Sequence, residues 1–144
     1  MPEPQSFKNH AKVVPAFHFF VLPMLLVNFV WQVIHAVRHV GAGSIIGALA
    51  ALAILMAALF GRMFALKVQD RVIRLEVRLR LQELLPPDLR ARIDEFTLDQ
   101  LIGLRFASDA ELPDLCRKVL NEHIAARKPI KMLVKNWQGD YLRA

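Results

Sequence analysis

The side chains best suited to chemistry in this chain are histidines set in apolar sequence. From Val13 to Val37 there is no Asp, Glu, Lys or Arg in 25 residues, yet His18, Asn28, Gln32 and His35 lie inside that run, and His39 follows Arg38. At 100° per residue on a helix, Asn28, Gln32, His35 and His39 fall within about 60° of one another, with His18 roughly 40° further round. Such a face should point at protein or water rather than lipid. Three chemistries are open to it. His18 or His35 could touch a haem or a quinone, a haem taking one histidine from each of two copies. His35 and His39, four residues apart, could share a metal ion, but no carboxylate or thiolate is near enough in sequence to complete a site. The third reading is plain polarity at a wet membrane edge, with Asn28 and Gln32 hydrogen-bonded to another helix. It makes the fewest demands and is the expectation, so no cofactor and no metal is assigned.

Elsewhere the reactive types lack partners. Cys116 sits at an apolar helical position with no base beside it, which points to packing. A single cysteine excludes an intramolecular disulfide and a thiolate cluster. Asp109, Glu111 and Asp114 cluster where a helix should begin, and the helix dipole favours acids there without catalysis. There is no glycine-rich phosphate loop, no G-x-S-x-G and no paired-cysteine motif. The expectation is a non-enzymatic protein.

The elements that carry these residues follow from hydropathy. The chain has 144 residues, 55% of them apolar, and a formal net charge of +6. Its mean hydropathy is +0.33. That content excludes a disordered chain. A second uncharged run of 22 residues extends from Val40 to Gly61 and ends at Arg62. Each run exceeds the ~20 residues needed to cross a ~30 Å hydrocarbon core. We read residues 13–37 as a first transmembrane helix, 38–43 as a short external loop and 44–61 as a second transmembrane helix. A loop this short makes the helices antiparallel neighbours, and Gly41 and Gly43 are expected to supply the freedom for the turn. Pro23 should kink the first helix near the carbonyl of Phe19. The first run is too long for a signal-peptide core, and Glu3 sits where such a peptide would be basic, so it is kept in the mature protein. In the second span Gly43, Gly47, Ala50, Ala57 and Gly61 share a face interrupted by Ile54, and small residues let helices approach closely.

Orientation follows from Lys and Arg. Lys8 and Lys12 precede the first span, Arg38 alone lies in the loop, and Arg62, Lys67, Arg71, Arg74, Arg78 and Arg80 follow the second. The positive-inside rule puts both termini in the cytoplasm. Residues 1–12 are then a cytoplasmic N-terminal segment and 62–85 a basic juxtamembrane helix. The alternation of Leu75, Val77, Leu79 and Leu81 with charges is a strand pattern. Helix is preferred, because no breaker separates it from the span and because Asp70–Arg74 and Glu76–Arg80 are acid-before-base pairs four apart. Residues 62–80 hold six bases and two acids, whereas 86–144 hold ten and nine. The excess charge therefore lies at the membrane surface. There Arg62, Lys67, Arg71, Arg74 and Arg78 suit anionic headgroups. Nucleic acid would want the excess on the free domain, and is not expected as a partner.

Pro86 and Pro87 end the long helix, and residues 86–144 read as a small cytoplasmic helical domain. Thr97 to Gln100 and Ser108 to Glu111 have the pattern of capping boxes. A helix from about Pro113 should continue through Leu115, Cys116, Val119, Leu120, His123 and Ile124. A last helix from Pro129 should align Ile130, Leu133, Val134, Trp137 and Tyr141. A core this small needs support from the long helix, the membrane or another copy.

Phe7-Lys8-Asn9-His10, Phe64-Ala65-Leu66-Lys67-Val68-Gln69-Asp70-Arg71, Leu104-Arg105-Phe106-Ala107-Ser108-Asp109, and Ile130-Lys131 with Lys135-Asn136-Trp137 together carry a resemblance. The chain resembles an uncharacterised family of small bacterial two-span inner-membrane proteins. The resemblance implies a bacterial inner-membrane protein with a cytoplasmic helical tail, and brings no activity. The expected fold is all-α. The expected function is a membrane-anchored interaction or scaffold module, as a homo-oligomer or in a larger membrane complex. An accessory subunit of a larger, for example respiratory, complex touching haem or quinone is the alternative. An oligomeric channel or transporter ranks lower, since no acid lies within a span.

Overall fold

The computed structural model describes residue 7 and residues 13–139. The expectations for residues 1–12, with Lys8 and Lys12, and for Tyr141 lie outside the described residues. The fold is all-helical. The described residues form two compact units, one ending at Leu66 and the other beginning at Lys67.

The first unit is a helical hairpin. A π-helical turn, Ala16–Val21, leads into α1, Leu22–Arg38. Pro23 lies in the first turn of α1, and the π turn comes just before it. The reason is local. Proline donates no hydrogen bond and its ring crowds the carbonyl four residues back. The wider π register, seen where the Leu22 N–H donates to the Phe17 carbonyl, makes room. Helix α2, Ala42–Leu84, follows after three residues. No glycine among the described residues has a positive φ, and Gly43 is already helical, so the turn does not draw on Gly41 and Gly43 as expected. Instead the Ser44 hydroxyl closes it, lying 2.6 Å from the His39 carbonyl and 2.9 Å from that of Gly41.

Residues 16–38 and α2 are both long and apolar enough to cross a membrane. Their most apolar stretches have mean hydropathies of 1.9 and 2.4, with 0% and 11% of those stretches buried. Among the described residues of this unit, Ala51 and Leu55 of α2 are the buried ones.

In the second unit, α2 supplies one wall of a core. Ile73, Val77, Leu81 and Leu85 recur every four residues and are all buried. The rest of the core comes from α3, Pro87–Arg90, a 3₁₀ turn, Ile93–Glu95, α4, Leu98–Leu104, α5, Leu112–Asn121, and α6, Arg127–Leu133. Thr97 caps α4 through the expected box: its Oγ1 accepts from the Gln100 N–H, and Gln100 Oε1 accepts from the Thr97 N–H. Gln100 Nε2 also donates to the Ile124 carbonyl, tying α4 to the end of α5. Gly103 lets α4 and α6 meet, because a Cβ there would sit 2.9 Å from the Cβ and Cγ2 of Ile130.

Two helix ends differ from expectation. Helix α5 stops at Asn121, not beyond Ile124. His123 takes φ 50°, and the Ile124 N–H turns back to the Val119 carbonyl at 3.1 Å. This is the left-handed cap that usually holds glycine. Helix α6 ends at Leu133, so Trp137 is not on a helical face with Ile130. It forms an antiparallel bridge with Ala107, in which the Ser108 N–H donates to the Asn136 carbonyl and the Gln138 N–H to the Phe106 carbonyl. Its ring packs 4.7 Å from that of Phe106. A helix through 137 would have left those backbone groups of 106 and 108 unpaired beside the core.

Candidate functional site

The polar residues of α1 do not converge on one point. His18 Nδ1 lies 2.9 Å from the Val14 carbonyl and 3.2 Å from its N–H, so this imidazole caps its own helix start. His35 and His39 stack at 4.8 Å at the other end of α1, exposed beside the turn. Among the described residues no group of three or more His, Cys, Asp or Glu is placed to hold a metal ion. Asn28 is exposed. Gln32 is the one that meets α2: a Cβ on Gly47 would lie 3.2 Å from Gln32 Oε1. Glycine at 47 leaves room for that side chain.

The other small residues proposed for helix packing stay open on the surface of the single chain. Gly43, Ala50, Ala57 and Gly61 are all exposed, and a Cβ on Gly43 or Gly61 would meet nothing within 4 Å. The seam within the chain runs through Gly47, Ala51 and Leu55, one stripe round from the small face. The two faces are adjacent on the helix, which is why composition alone merged Gly47 with the rest.

The hairpin presents an apolar surface outward. Phe19, Phe20, Leu26, Val27 and Trp31 of the first span, and Ile46, Leu49 and Ile54 of α2, are all more than half exposed. Monomeric soluble proteins seldom expose so large a contiguous patch.

The basic residues after the span part company. Lys67, Arg71 and Arg74 are exposed, and Arg62 is half-buried. Arg78 reaches Asp94 at 3.1 Å. Arg80, read from the sequence as a topology-setting charge and the helix partner of Glu76, makes three contacts in the second unit. Its Nε donates to Asp109 Oδ1 at 2.7 Å, Nη2 to the Ala107 carbonyl at 2.6 Å, and Nη1 to the Arg105 carbonyl at 3.3 Å. It fastens α2 to the turn before α5.

The acidic cluster is structural in an unforeseen way. The Glu111 carboxylate accepts from the N–H groups of Ser108, Lys135 and Asn136 at 3.1 to 3.3 Å, and so joins chain segments 24 and 25 residues apart. Only half of the second expected capping box forms, since the buried Ser108 hydroxyl has no hydrogen-bond partner. Asp114 pairs loosely with Arg117 at 3.7 Å. Arg117 also bonds Asp88 and holds that carboxyl below its ordinary range, as Arg92 does for Glu95. Cys116 is fully buried, and burial pushes its thiol up to about 12. A thiol so protonated is a poor nucleophile at neutral pH.

The described residues thus present exposed apolar and basic surfaces. No match is found among curated proteins or among solved structures. One family does match, from the first residue to the last: over residues 1–144 the chain belongs to DUF6526, a family of unknown function.

Proposed function

We propose that this chain is a non-enzymatic membrane anchor that presents a small helical interaction domain, set in a bacterial inner membrane with both termini in the cytoplasm. The observation that carries this reading is the hairpin's exposed apolar surface. Two uncharged helical stretches, each about as long as a bilayer core is thick, leave 100% and 89% of their most apolar windows unburied. Burial of apolar surface stabilises by roughly 25 cal/mol per Å², and hydrocarbon is the medium able to cover a surface of this extent. The excess of basic over acidic side chains from Arg62 to Arg80 supports the orientation, and Arg62 and Lys67 are the charges nearest the headgroups. The second unit, with its packed core and its ion pairs at the surface, is the part that meets water and partners, either other copies of the chain or a larger membrane complex.

The test is fractionation followed by labelling. The chain should stay in the pellet of membranes washed with alkaline carbonate. In a Cys116→Ala background, Gly41→Cys should react with an impermeant maleimide added to the periplasmic side, and Lys67→Cys only after the membrane is opened. Release by carbonate would overturn the anchor, and labelling with the sides exchanged would overturn the orientation.

A further inference from the structure

Helix α2 has a second apolar stripe that the chain leaves uncovered. Val68, Val72, Leu75 and Leu79 are 60%, 46%, 64% and 65% exposed. They lie about 180° round the helix from the core stripe of Ile73, Val77, Leu81 and Leu85. Their spacing of four, three and four is that of the seam positions of a coiled coil. Hydrocarbon does not suit them, since Lys67, Asp70, Arg71, Arg74, Glu76 and Arg78 are interspersed and each charge is costly in a bilayer core. We propose that two copies of the chain pair in parallel through this face of α2.

Two observations favour a second copy as the occupant. First, the charges beside the stripe complement one another in a parallel pair. Arg71 and Arg78 precede seam positions and Glu76 and Glu83 follow them, each five residues further on. Flanking positions so related face each other across a parallel two-stranded coiled coil. Arg71 of one copy thus meets Glu76 of the other, twice by symmetry; Arg78 already holds Asp94, so the Arg71 pair is the diagnostic one. Secondly, two copies in one membrane share an orientation, so their α2 helices run parallel. This second point rests on the anchor reading above; the first does not.

The experiment is disulfide trapping of the full chain in its own membranes, in a Cys116→Ala background. Val68→Cys and Leu79→Cys, introduced singly at the two ends of the stripe, should each give an oxidised dimer of twice 16.4 kDa. An antiparallel pair would trap neither. Arg74→Cys, exposed about 130° away on the helix, should stay monomeric. In the Leu79→Cys protein, Arg71→Glu and Glu76→Arg should each lower the dimer yield about fivefold by placing like charges opposite, and the double swap should restore it. Failure of both end positions to trap, or equal trapping at Arg74→Cys, would overturn the proposal. So would single swaps that act in opposite directions, because a face docked on an anionic membrane follows net charge: Arg71→Glu weakens it and Glu76→Arg strengthens it. Carbonate washing of the same membranes judges the anchor separately. A retained chain that does not trap sinks the pairing alone, and a released chain that traps at both ends sinks the anchor alone.

Discussion

Leu79 and Leu81 are two residues apart, share a helix and alternate with arginines, yet they should respond to truncation in opposite ways. Leu81 is 0% exposed within the core of the second unit, and Leu79 is 65% exposed. Leu81→Ala removes three buried carbons. At about 0.8 kcal/mol each the transfer loss is roughly 2.4 kcal/mol, and the cavity left behind brings the cost to about 2–5 kcal/mol. Leu79→Ala removes side chain that already faces water, and should change the stability of the monomer by about 0.5 kcal/mol or less. The assay is urea unfolding of the full chain in detergent at concentrations where it is monomeric. It would be followed by the fluorescence of Trp137, whose ring lies on Phe106, with Trp31 replaced by phenylalanine. In a unit of this size 1 kcal/mol moves the melting temperature by about 4–8 °C, so the two variants separate clearly. Equal losses for the two, or a loss under about 1 kcal/mol for Leu81→Ala, would refute the assignment of faces and with it the claim that α2 is a wall of the core.

Gly103→Val should destabilise the second unit by about 1–3 kcal/mol, because even its Cβ would sit 2.9 Å from Ile130; an unchanged urea midpoint would refute the close approach of α4 and α6. Cys116 should resist maleimide until the chain is unfolded. Its thiol is raised to about 12 from an ordinary 9.0, so the folded state keeps a proton that the unfolded state loses. Its contribution to stability is complete below about pH 9 and falls by about 1.4 kcal/mol per pH unit until the folded thiol itself ionises. The wild-type chain should therefore lose stability more steeply than Cys116→Ala between pH 9 and pH 12, and parallel profiles would contradict the burial. His123→Gly should raise stability by up to about 1 kcal/mol, since φ 50° strains any residue with a Cβ; a loss would mean that the imidazole contributes contacts that outweigh the strain.

What was legible in the sequence was what depends on neighbours along the chain. The two apolar runs, the Thr97 capping box and the stop at Pro86-Pro87 all appear as read. So does the continuous helix through the alternating segment, where the strand pattern resolves into two helix faces, Val77 and Leu81 inward and Leu75 and Leu79 outward. What was not legible depends on groups distant in sequence. Trp137 fits the apolar spacing of a helix begun at Pro129. It leaves that helix because the Phe106 carbonyl, the Ser108 N–H and the Glu111 carboxylate pair with the backbone of residues 135–138, about 24 to 32 positions away. Arg80 has the sequence context of a topology-setting charge, and only the turn at 105–109 makes it a clamp.

The same distinction bears on α2 as a whole. A helix that carried only an anchor and a wall of the core would need one apolar stripe in each part, facing α1 in the first and the core in the second. Gly47, Ala51 and Leu55 satisfy the first need, and Ile73, Val77, Leu81 and Leu85 the second. Val68, Val72, Leu75 and Leu79 satisfy neither. Four large exposed side chains in helical register, amid charged neighbours, cost solubility and add nothing to the folding of one chain. Replacing all four with glutamine should therefore leave the urea midpoint of the monomer unchanged within about 0.5 kcal/mol. In membranes it should abolish the dimer that a lysine-reactive cross-linker recovers from the unchanged chain. A monomer destabilised by more than that would place the stripe in the fold of the single chain and remove the need for a second copy.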